Sequence, residues 1–126
     1  MSEPRAEYVI AVADVAAIVS PYKSRLEERW AREGDLILLD ELGEQTAVQL
    51  YEPWTLRLIG ASYKVDFVHI LESGRMVCVE VKGSTRQANY RDARSKLRAA
   101  AELHPWFTWI EARQERGGWI VERIGG

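Results

Sequence analysis

At 126 residues, 47% of them apolar, the chain has the size and composition of one globular domain, residues 1–126, large enough to bury a core. Its formal charge of −2 does not announce a nucleic-acid binder, and no run approaches the roughly 18 apolar residues of a membrane span. Residues 8–19 are apolar, but no basic segment or cleavage pattern makes them a signal peptide. The single cysteine, Cys78, sits in an apolar strand pattern with no second thiol to support a metal site. It reads as a buried, inert side chain, and the chain fits a reducing, cytoplasmic compartment.

Residues 1–20 form an N-terminal extension, frayed at first. Within it, Tyr-Val-Ile-Ala-Val suggests a strand and Ala-Asp-Val-Ala-Ala-Ile-Val a helix, and residues 8–19 are read as the helix, broken by Ser20-Pro21. Ser24, with Glu27 three residues on, makes a capping box and opens a helix over residues 24–33. Leu26 and Trp30, four apart, mark its buried stripe, and Gly34 is expected to end it. At about 100° per residue, Glu27 flanks that stripe while Glu28 points into solvent. Residues 35–45 read as a further helical turn or a loop. Residues 49–59 predict one strand, with Leu50, Trp54, Leu56 and Leu58 on one parity and Pro53 at an edge or bulge.

Gly60-Ala61-Ser62 turns the chain into a strand that carries Asp66, and Glu72-Ser73-Gly74-Arg75 is a hairpin signal before a strand ending at Lys82. Residues 83–90 are polar and predict a loop beside that strand end. Asn89 or Asp92 is the candidate cap of a second helix that runs to His104, before Pro105, and buries Ala93, Leu97, Ala100 and Ala101. Residues 106–112 and 119–124 predict two strands joined by Glu115-Arg116-Gly117-Gly118. The order α-β-β-β-α-β-β predicts an α/β fold of three layers, α/β/α, around a mixed sheet.

Two charges break apolar strands. Asp66 interrupts residues 65–71 and Glu80 interrupts residues 76–81, and each costs free energy unless it is paired or holds a cation. Alternation puts Glu80 and Lys82 on one face, where Asp66 can join them from the neighbouring strand. Two hard oxygen ligands beside an ammonium suit Mg²⁺ and a phosphate. Alternation also sends His69 to the opposite face, which favours a structural role for it. The charge is unevenly spread: residues 82–98 hold six bases (Lys82, Arg86, Arg91, Arg94, Lys96, Arg98) against one acid, Asp92. Such a local basic surface binds phosphates even when the total charge is slightly negative.

Asp66 followed by Glu80-Val81-Lys82 after a short hairpin resembles the PD-(D/E)xK, restriction-endonuclease-like nuclease core. The resemblance covers residues 22–124 and is nearest to small phage-type Holliday-junction resolvases and endodeoxyribonucleases. Their helix start Ser-x-x-Glu, strand Tyr-x-x-Asp-Phe and strand end Glu-Val-Lys-Gly all have counterparts here. Val65 stands where the family usually has proline, a residue that is not a ligand.

The resemblance implies a metal-dependent endodeoxyribonuclease. Asp66, Glu80 and the Val81 carbonyl would hold Mg²⁺ or Mn²⁺, Lys82 would orient the attacking water or neutralise charge on the phosphate, and Glu27 would complete a second metal position or position the water. Arg86, Arg91, Arg94, Lys96 and Arg98 would hold the DNA backbone. Four-way junctions need two symmetric cuts, so resolution implies a homodimer, with residues 8–19 as a candidate seam. The alternatives are a transposon-end or other phage DNA-processing nuclease, and a non-catalytic nuclease-fold DNA-binding protein.

Overall fold

The computed structural model describes residues 20–83 and 90–125. The dimer seam expected within residues 8–19, and the roles given to Arg86 and Asn89, lie outside them. The described elements are α1 (Arg25–Leu42), β1 (Thr46–Tyr51), β2 (Thr55–Leu58), β3 (Ala61–Lys64), β4 (Phe67–Leu71), β5 (Met76–Lys82), α2 (Tyr90–Leu103), β6 (Thr108–Glu115) and β7 (Gly118–Ile124).

Five strands form a mixed sheet in the order β1-β4-β5-β6-β7, and β2 with β3 forms a separate two-stranded sheet. β5 and β6 run parallel, joined across α2, while the other pairs are antiparallel. Alternation along β5 sorts its side chains between two cores. Val77, Val79 and Val81 pack with Trp30 and Leu38 of α1. Cys78 packs with Leu97 and Ala100 of α2 on the other face. Among the described residues, one helix therefore covers each face of the sheet, as an α/β order predicts.

α1 is longer than its sequence pattern suggests. Ser24 is its N-cap and accepts the Glu27 N–H at 3.1 Å, as expected, but Gly34 does not end it. Gly34 is buried inside the helix, and a Cβ there would lie 2.5 Å from Trp30 Cε2. Its missing side chain is the space the Trp30 ring occupies. The terminator is Gly43, at φ 73°, whose N–H returns to the Leu39 carbonyl at 2.9 Å.

The strand expected over residues 49–59 is two strands. β1 pairs with β4 up to Tyr51↔Phe67, and β2 pairs with β3 from Thr55↔Lys64. Between them Pro53 has no N–H to give to a ladder, and Glu52 adopts φ 47°. The interruption is still bridged: the Glu52 N–H donates to the Asp66 carbonyl at 2.7 Å and the Val65 N–H to the Trp54 carbonyl at 3.1 Å. One long hairpin is thus bent in the middle. Its outer half folds over α2, where Leu58 and Tyr63 join Leu97 in the core.

The remaining buried features behave as packing predicts. Cys78 is fully buried, which pushes its thiol up to about 12. His69 is fully buried as well, accepts the Trp30 indole N–H at 3.0 Å, and meets Asp35 at 3.0 Å through its other nitrogen. Burial lowers its pKa to about 4. Among the described residues no helix is long and apolar enough to cross a membrane.

Candidate functional site

The bend in the hairpin builds the site. Glu52 and Asp66 flank the break between the two sheets, and α1 opens beside them. Carboxylate oxygens of Glu27, Glu52 and Asp66 all lie within 4.8 Å of one another. Glu27 does not spend its side chain on its own helix cap. Its carboxylate accepts the Tyr51 hydroxyl at 2.9 Å, and that hydroxyl accepts the Lys23 backbone N–H at 3.0 Å. Glu28, one residue on, pairs with Arg32 and Ser20 on the exposed side instead. Lys23 reaches over the group and places its ammonium 2.6 Å from Glu52.

Asp66 lies one register step beyond the Phe67↔Val79 pair, so Glu80 stands across from it on β5. The two carboxylates have different partners. Asp66 Oδ2 accepts the Val81 N–H at 2.9 Å. Glu80 is buried, accepts the Tyr63 hydroxyl, and takes the Lys82 ammonium at 3.1 Å. Burial, with the Glu80 charge beside it, raises the Asp66 carboxyl from 3.8 to about 8. Val81 therefore meets Asp66 through its amide. The expected set of Glu27, Asp66, Glu80 and Lys82 does meet at one end of the sheet. Glu52 replaces Glu80 in the tightest group of acids.

Glu52 escaped the sequence reading because it looks like an ordinary edge residue beside a proline. The Glu52-Pro53 pair in the middle of an apolar alternation was the available signal for a break.

The acidic row continues across the sheet. Glu80 is the register partner of Glu111 on β6, and Glu111 is the partner of Glu122 on β7. Glu111 is fully buried, and its Oε1 accepts from Arg94 at 2.8 Å, Arg113 at 2.5 Å and Tyr90 at 3.2 Å. Arg94 is therefore not a free surface cation on the helix flank; it is held inside by Glu111 and by Glu122 at 2.5 Å. Lys96 lies 3.9 Å from Asp92. Arg91 and Arg98 are exposed and have no acid partner among the described residues.

No family model matches the chain, and no curated protein matches it. The crystal structure of SSO0001 is similar to it at 14% sequence identity with a TM-score of 0.42. The match covers 96% of this chain and 60% of SSO0001, so the chain spans less than two thirds of that protein's length.

Proposed function

We propose that the protein is a divalent-metal-dependent endodeoxyribonuclease of the PD-(D/E)xK kind, acting as a homodimer that prefers four-way junctions. The observation that supports this reading best is the excess of acid around Asp66. Along the row, six carboxylates (Glu27, Glu52, Asp66, Glu80, Glu111, Glu122) face four cations (Lys23, Lys82, Arg94, Arg113). A half-buried excess of that kind is costly when bare, and one divalent cation offsets it. The donors fit: they are hard carboxylate oxygens, which suit Mg²⁺ or Mn²⁺.

A cation bound there supplies Lewis acidity toward a phosphoryl oxygen and lowers the pKa of a coordinated water. The chain's own residues do the rest. Glu27, Glu52 and Asp66 would hold the ion, and the Val81 N–H fixes the orientation of the Asp66 carboxylate. Tyr63 fixes one oxygen of Glu80, and the other oxygen positions Lys82. The Lys82 ammonium neutralises charge that grows on the phosphate as water adds to phosphorus and the ester oxygen leaves.

The test is cleavage of matched four-way junction, flap, single-stranded and duplex DNA by the wild type, Asp66→Asn and Lys82→Ala, in Mg²⁺, Mn²⁺ or EDTA. Cutting requires the metal, is strongest on the junction, and falls at least about a hundredfold in either variant. No metal-dependent cutting of any substrate overturns the enzymatic reading. A monomer that cuts duplex as well as junction overturns the junction preference alone.

A further inference from the structure

Glu122 occupies a place that a phosphate would suit. Its carboxylate bridges two guanidinium groups, Arg94 at 2.5 Å and Arg113 at 3.2 Å. The two arginines are 15% and 13% exposed, whereas Glu122 is 44% exposed. Beneath them, the fully buried Glu111 accepts from both, so the two guanidinium forks are held from the inside by one acid and covered on the outside by another. Arg91 and Arg98 line the same surface recess, and Glu122 is the one carboxylate among the described residues of its lining. The ion pairs with Arg94 and Arg113 hold Glu122 below the ordinary carboxylate range, so it is an anion throughout the neutral range.

The recess has a defined place relative to the proposed catalytic residues. Arg113 is the register partner of Lys82, and Glu111 is the partner of Glu80. A backbone phosphate in the recess would therefore sit one strand over from Lys82, on the same face of the sheet.

We propose that the recess formed by Arg91, Arg94, Arg98 and Arg113 is a phosphate subsite for the nucleic-acid strand next to the scissile position, and that Glu122 is its placeholder, displaced when the phosphate binds. A guanidinium fork donates to a carboxylate or to a phosphate in the same bidentate geometry. When the subsite is empty, Glu122 keeps the two buried forks aligned and offsets the mutual repulsion of four arginines. When DNA arrives, Glu122 is the partner free to leave, because it is the exposed member of the network. The arrangement lets a chain of net charge −2 bind a polyanion at one surface. The inference rests on the nuclease reading for the identity of its ligand, so its test reads binding without cutting.

The experiment measures affinity for a labelled four-way junction in EDTA over a salt series. It compares the wild type, Glu122→Gln, the double variant Arg91→Gln/Arg98→Gln, and Glu72→Gln as a distant exposed acid. Glu122→Gln tightens binding about three- to tenfold while Glu72→Gln leaves it unchanged. The double arginine variant weakens binding and lowers the salt slope by about two. Inorganic phosphate competes with the junction more effectively in the wild type than in the double variant.

Equal affinity of Glu122→Gln and wild type, or an unchanged slope in the arginine variant, overturns the subsite and leaves the nuclease reading standing. Arg91 and Arg98 are exposed and unpaired among the described residues, so the arginine arm decides the matter should Glu122→Gln fold poorly. Absence of junction binding by every protein overturns the subsite and the nuclease reading together.

Discussion

Burial raises the Asp66 carboxyl from 3.8 to about 8, with Glu80 as the second cause, and the shift has a definite sign for stability. Between those two values the unfolded chain has released the proton and the folded chain keeps it. The folded state binds more protons at Asp66 there, so this residue's contribution to stability falls as pH rises from about 4 to about 8 and levels off above, while His69, lowered to about 4, contributes in the opposite sense up to its ordinary value of 6.5. In EDTA, Asp66→Asn removes the Asp66 contribution, because an amide keeps an acceptor for the Val81 N–H without the charge. Its melting temperature at pH 8 should exceed that of the wild type by about 4 °C or more, as read by thermal denaturation at pH 5 and pH 8. A wild-type curve with the same slope as the variant would show that Asp66 is not strained by its surroundings. The residue would thus trade stability for cation binding, and added Mn²⁺ should raise the melting temperature of the wild type alone.

At the scale of elements, α1 is one helix because of Gly34. A Cβ at that position would meet the Trp30 ring at 2.5 to 2.9 Å, and Trp30 is walled in by Trp119 and His69. Gly34→Ala therefore costs about 1–3 kcal/mol through overpacking, in spite of alanine's better helix propensity, and chemical denaturation reads the loss. A neutral or stabilising change would mean that the tryptophan can move aside.

The same helix shows what the sequence could and could not reveal. Ser24 and Glu27 announced its start because a capping box is a local pattern. Gly34 misled because a glycine packed against a ring four residues away looks, in one dimension, like a terminator. The two strands read as 49–59 and as the Asp66 run were legible by alternation. Their shared bend was not, since it depends on Glu52 and Asp66 bonding across a hairpin. Asp66 and Glu80 stood out because each breaks an apolar run, and Lys82 because it shares the face of Glu80. Glu52 and Glu122 did not, because an acid beside a proline break or on an edge strand is unremarkable. Arg94 has the sequence spacing of a surface stripe, and only the fold shows that it turns inward to Glu111.

At the scale of the whole molecule, the mixed sheet acts as a charge rack. It places Glu80, Glu111 and Glu122 side by side on β5, β6 and β7, with Asp66 at one end of the row. α2 covers the middle with Arg94, while α1 and the bent hairpin close the end with Glu27 and Glu52. Buried acids near the middle are matched by arginines. The end at Asp66 is left short of positive charge, and there the proposed cation would bind. Calorimetric titration of Mn²⁺ into metal-free wild type, Asp66→Asn and Glu52→Gln at neutral pH tests that proposal directly. The expected result is saturable binding by the wild type, none by Asp66→Asn, and a loss of about tenfold or more for Glu52→Gln. A wild type that takes up no Mn²⁺, or an Asp66→Asn variant that binds it equally well, would contradict a cation site at Asp66.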